Sequence, residues 1–169
     1  MTATTESDAT MAAITNAVAR GREGDPGTAR RELNEIWQTL GPQGDPLHRC
    51  ALAHYLADLY DDAAQALTWD IRALDAADSL TDERAKRYHE SLSVRGFYPS
   101  LHLNLADNYR RLGSFDAAAE QLAAARGCLH ELSDDEYANG IRTAVTEIEQ
   151  AILERNTEPR ASAPTGRPS

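Results

Sequence analysis

The sequence predicts an all-α protein, a right-handed superhelical stack of antiparallel helical hairpins with about six or seven helices. Three observations carry this. Apolar residues recur at helical spacing in block after block, the breaks between blocks hold helix-start and turn residues, and two stretches repeat one another. Composition agrees: 41% of the 169 residues are apolar, dominated by alanine and leucine with only two Phe and two Trp. Such a set suits close helix packing better than an aromatic-rich β core, and the length suits one domain with a real core.

Met11, Ile14 and Val18 mark a first short amphipathic helix, and Leu33, Ile36, Trp37 and Leu40 a second. Asp25-Pro26 and Asp45-Pro46 each supply a capping carboxylate followed by a proline already set to helical φ. A third helix, about 46 to 60, carries Leu52, Tyr55, Leu56 and Leu59 on one stripe. A fourth, about 62 to 78, carries Ala63, Leu67, Ile71 and Leu74. Thr81 caps a further helix with Ala85, Tyr88 and Leu92, which must bend or stop around Gly96 to Pro99 because proline cannot continue the ladder. The pattern resumes with Leu101, Leu105 and Tyr109, breaks at Gly113-Ser114, and continues with Phe115, Ala118, Leu122, Ala125 and Leu129. Ser133 and Glu136 read as a capping box for a last helix, with a stripe of Tyr137, Ile141, Ala144, Ile148 and Ile152. The domain spans residues 11–155 with a helical insertion at about 81–98. Residues 1–10 and 156–169 are small, polar or proline-rich, and are expected to be disordered.

Superposing the two best hairpins aligns Leu56-Ala57 with Leu105-Ala106, Tyr60 with Tyr109, Ala66 with Ala118 and Ala73 with Ala125. The stretch LNLADNYRRLGSFDAAAEQLAAA, residues 103–125, resembles a tetratricopeptide repeat at Leu105, Ala106, Tyr109, Gly113, Phe115, Ala118, Leu122 and Ala125. Residues 52–74 resemble it at Leu56, Ala57, Tyr60, Ala66, Ala73 and Leu74, but lack the turn glycine and place Asp70 where a large apolar residue belongs. Gly24, Ala29, Leu33 and Ile36 make residues 11–40 an atypical terminal unit. The interval from Leu56 to Leu105 exceeds the ~34 residues of a simple repeat, and the LHLNLADNY segment looks like the signature of the longer, kinesin light-chain type.

The formal net charge of −10 disfavours nucleic acid and anionic membrane surfaces as partners. No apolar run approaches the ~20 residues of a membrane span, no signal stretch opens the chain, and Cys50 and Cys128 are the only cysteines, so a reduced, cytoplasmic protein is expected. Cys50, His54 and Asp58 stand at i, i+4 and i+8 on one helical ridge, and all three residue types bind metals. No CxxC or HxxxH completes a ligand set, so the expectation is no metal, no cofactor and no catalytic residue. Trp37 and Trp69 are expected in the packing between hairpins.

The resemblance implies a concave groove lined by the first helix of each hairpin, suited to an extended or helical peptide. Carried onto this chain, the lining positions are His54, Asp58, Asn104, Asp107, Asn108 and Arg111. Asp58 and Asp107 replace the positive charge with which such grooves clamp a chaperone's carboxylate end. The expected function is therefore a non-catalytic adaptor or scaffold for another protein or peptide with a basic or mixed surface; a homo-oligomer stays open. The alternatives are a small-molecule or peptide sensor gated by the insertion, and a metal-dependent enzyme around Cys50, His54 and Asp58.

Overall fold

A computed structural model describes residues 8–89 and 92–161. Among these residues the chain forms eight α-helices and no strand: α1 (Ala9–Arg22), α2 (Pro26–Leu40), α3 (Pro46–Ala57), α4 (Ala63–Asp78), α5 (Asp82–Tyr88), α6 (Tyr98–Arg111), α7 (Phe115–Gly127) and α8 (Glu136–Leu153). Short 3-10 turns lie at Val94–Phe97 and Leu129–Glu131. The count slightly exceeds the expected six or seven. Of the two ends expected to be disordered, residues 1–7 and 162–169 lie outside the described residues.

Aspartate starts most of these helices. Asp8, Asp25, Asp45, Asp62 and Asp135 each accept a hydrogen bond from a free backbone amide of the first turn. Asp135, not the expected Ser133, caps α8, accepting from the Ala138 amide at 2.8 Å. Gly113, with φ +76°, supplies the left-handed residue that ends α6.

Three helix pairs, α1 with α2, α3 with α4 and α6 with α7, pack as hairpins, and α4 packs against α6 to join the second to the third. The first helices of the hairpins run in one direction. Asp8 meets His48 near the starts of α1 and α3, and Gly21 lies against Leu59 near their ends. Asn104 meets His54, and Arg111 meets Asp61 seven residues further along in both hairpins. Of the repeat positions read from sequence, Leu56, Ala57, Ala66, Leu105, Ala106, Ala118 and Ala125 are buried, and Tyr60 and Tyr109 are half-buried. Alanines where helices cross let the backbones approach closely.

Two apolar stripes differ from expectation. In α4 the buried face is Ala66, Trp69, Asp70, Ala73, Ala76 and Ala77, while Ile71 is exposed. This face is sandwiched between α3 and α6, where small side chains fit and isoleucine would not. In α8 the buried face is Ala138, Ile141, Ala144, Val145 and Ile148, with Tyr137 left 56% exposed. The apolar interior divides into two clusters. One joins α1 to α5 and Leu101, and the other joins Leu103, Ala106, Leu122 and Ala125 to α8.

The chain after α8 is held in place. Arg110, fully buried, donates to the carbonyl oxygens of Asn156 (2.6 Å) and Glu158 (2.9 Å) and to Asp107 Oδ1 (2.7 Å). Arg160 reaches Asp107 at 3.4 Å and Glu147 at 3.0 Å. Residues 156–161 thus pack along α6 and α8.

Candidate functional site

The α3 stripe Leu47, Cys50, Ala51, His54, Tyr55 and Asp58 faces a cavity of about 590 Å³. Met11, Thr15 and Arg22 of α1 form a second wall, and Ser100 and Leu101 of α6 a third. The insertion covers one end through Tyr88, Leu92 and Phe97, and Tyr137 of α8 stands at the rim. This volume is within the range of ordinary ligand pockets, and its mostly apolar lining with a few polar groups matches their character.

The insertion is fastened by charge. Arg84 of α5 donates to Asp45 Oδ2 at 2.6 Å and lies 3.5 Å from Asp8 Oδ2, which also pairs with His48 Nε2 at 2.8 Å. One guanidinium therefore joins the capping carboxylates of α1 and α3. Burial works against both carboxylates, but their bonds to His48 and Arg84 hold Asp8 and Asp45 below the usual range. Asp82 accepts from the Val94 amide at 2.9 Å and closes the loop behind α5.

Behind the cavity floor lies a polar layer. Asp70, 2% exposed, accepts from Asn108 Nδ2 at 2.7 Å and from Asn104 Nδ2 at 3.4 Å, and its Oδ1 is 3.8 Å from His54 Nδ1. Asn104 is also 3.5 Å from His54 Nδ1. Burial pulls His54 down, but the Asp70 and Asp58 carboxylates outweigh it and raise its pKa. Asp58 is exposed at the cavity's end, yet crowding there withdraws water from its carboxyl. That loss of hydration, with the nearby Asp70 charge, pushes its pKa up to about 6 against the pull of His54 and Arg22.

The six residues read as groove lining separate into distinct places. His54 and Asp58 line the cavity, and Asn104 touches His54. Asn108 is buried on Asp70. Asp107 faces Arg110 and the chain after α8, and Arg111 donates to the Asp61 carbonyl at 2.7 Å. On α6, positions three and four apart share a face, but the α4 contact claims Asn108 and the C-terminal segment claims Asp107. Most of the cavity lining is missed from sequence: Tyr88, Leu92 and Tyr137, among others, read as parts of apolar stripes, and no local signal separates a rim residue from a core one. Asp70 did carry a signal, since it breaks the repeat pattern.

Of the Cys50, His54 and Asp58 ridge, Cys50 is buried and desolvation pushes its thiol up to about 12, so it is a neutral thiol at ordinary pH. Among the described residues, no group of three or more His, Cys, Asp and Glu could hold a metal ion. No described helix is long and apolar enough to cross a membrane. Trp37 and Trp69 meet edge-to-face at 5.1 Å on α2 and α4, with Arg49 over Trp37 at 4.1 Å and Arg72 over Trp69 at 4.4 Å. No protein-family model, no curated protein and no solved structure matches the chain.

Proposed function

We propose that this chain is a non-catalytic binding module, an adaptor or scaffold of tetratricopeptide-like build, that holds a peptide or a segment of another protein against its concave face. The observation that carries this reading is the cavity of about 590 Å³ along co-directional first helices, with an apolar wall, an acid at its open end and the half-exposed Tyr88 and Tyr137 at its edge. Rigid tyrosines beside an apolar trough suit recognition, because they bury area at little entropic cost. Acidity at the open end favours a partner with a basic or mixed surface.

The test is to fill the trough. Ala51→Glu places a charged, larger side chain on the cavity wall, and Glu120→Ala on the exposed face of α7 serves as control. A partner co-purified from the native host and then tested as pure protein should bind the control normally and the Ala51→Glu variant at least tenfold more weakly, with both variants folded by circular dichroism. Equal binding by both variants would sink the groove reading. A second reading, a sensor that closes over a small ligand, draws on Tyr88 and Leu92 covering one end of the cavity. It predicts protection of α5 amides from exchange on adding ligand.

A further inference from the structure

Building on the reading that the concave face holds a peptide, we infer that charge orients the bound segment: a bulky apolar side chain lies beneath α5 and a lysine or arginine side chain lies at the Asp58 end. The cavity has a polarity axis, set by α3. From Leu47 to Asp58 its lining stripe extends about 16 Å at 1.5 Å per residue, passing from Leu47, Cys50 and Ala51 to His54 and Asp58. The Leu47 end is closed by Tyr88, Leu92 and Phe97, and α5 is held there by Arg84 on Asp8 and Asp45. Among the described residues, the two carboxylates that fasten this end, Asp8 and Asp45, are already paired with His48 and Arg84.

The other end differs in three respects. Asp58 is the C-cap of α3, so its carboxylate sits at the negative end of the helix dipole, where a cation is favoured and an anion is not. Asp70 adds a second negative charge behind it. Among the described residues, no side chain forms a hydrogen bond or close ion pair with the Asp58 carboxylate; the positive charges that act on it, His54 and Arg22, do so at longer range. Thr15 and Tyr55, which line the cavity beside Arg22, are neutral. A cationic head on an aliphatic stem satisfies both parts of this cavity, its stem on the apolar wall and its charge on Asp58.

Three acetylated, amidated octapeptides titrated by calorimetry test this, each with leucine and phenylalanine in one half and either lysine, norleucine or glutamate in the other. The lysine peptide should bind roughly three- to tenfold more tightly than the others, the scale of a partly exposed ion pair. That preference should vanish in Asp58→Asn and grow in Arg22→Ala, while Leu92→Ala should weaken all three peptides alike. Equal binding of the three peptides to the native chain, with all three lost in Ala51→Glu, would overturn the charge inference and leave the groove reading standing. A lysine preference that survives Asp58→Asn would overturn it as well. Binding of none of them at millimolar concentration would overturn the groove reading and this inference together.

Discussion

The hairpins α3–α4 and α6–α7 occupy equivalent places in the chain's repeat, yet they fill one position in opposite ways. With Ala66 matched to Ala118 and Ala73 to Ala125, Asp70 falls on Leu122. Both are buried, at 2% and 5% exposure. Leu122 belongs to the apolar cluster that α8 covers, whereas Asp70 meets Asn104 and Asn108 of α6. The boundary between the two apolar clusters is therefore polar at this point. An apolar contact joins any helices of suitable shape, but a buried carboxylate needs partners at defined places. Asp70 thus ties α4 to α6 in one register and aligns His54 on the cavity floor.

The turns differ as well. Gly113 turns the α6–α7 hairpin with a left-handed residue, while residues 58–62 turn α3 into α4 with no residue at positive φ. The carbonyls of the α3–α4 turn are used from both sides: Arg30 of α2 donates to Leu59 at 3.3 Å and Arg111 of α6 to Asp61 at 2.7 Å. Neighbouring hairpins brace the turn that lacks a glycine. α3 also stops at Ala57, short of the expected residue 60, and this early stop leaves Asp58 as a cap facing the cavity's open end.

The largest effect should come from making the two hairpins alike in the wrong direction. Leu122→Asp puts a carboxylate against Ala106 and Ile148 with no asparagine to receive it, and should cost about 3–5 kcal/mol by chemical denaturation. A loss below ~1 kcal/mol would mean that the α7–α8 contact is wet. Next, Asp70→Leu should cost about 1–3 kcal/mol by leaving the buried Asn108 amide unsatisfied. Combining it with Asn104→Leu and Asn108→Leu should recover most of that loss, and a triple variant no better than the single one would show that shape rather than polarity sets this contact. Gly113→Ala, at φ +76°, should cost on the order of 1 kcal/mol.

The smallest effect concerns Asp58. Its pKa of about 6 in the folded chain lies above the ordinary 3.8, so the folded state holds this proton more tightly than the unfolded state does. The resulting stabilisation is fully present below pH 3.8 and is lost as pH rises through about 6. His54, also raised, acts in the same direction across a higher range, its share being lost as pH climbs past its own folded value. Asp58→Asn should therefore raise stability slightly at pH 7.5, by no more than about 0.5 kcal/mol at so accessible a site, and leave it unchanged near pH 3.5. A loss of stability at pH 7.5 would show that the carboxylate has a favourable partner in the folded chain.

The local facts are legible in the sequence: helices where apolar spacing and aspartate caps coincide, a glycine where the α6–α7 turn goes left-handed, and alanines at the crossings of both repeat units. Each of these depends on residues within a few positions of one another, so periodicity and capping chemistry reveal them. Tertiary structure alone decided which face of a helix is used when two neighbours compete for it. Arg110 and Asp107 spell an ordinary surface pair at i, i+3, yet the chain after α8 buries the arginine by offering it the Asn156 and Glu158 carbonyls. Tyr137 spells part of an apolar stripe, yet α6 and α7 take the Ile141 and Ile148 face and leave the tyrosine at the cavity rim. Asp70 was visible as an anomaly, but its asparagine partners lie 34 and 38 residues away in the chain. Contacts over such separations are fixed by how hairpins stack, and no local pattern encodes them.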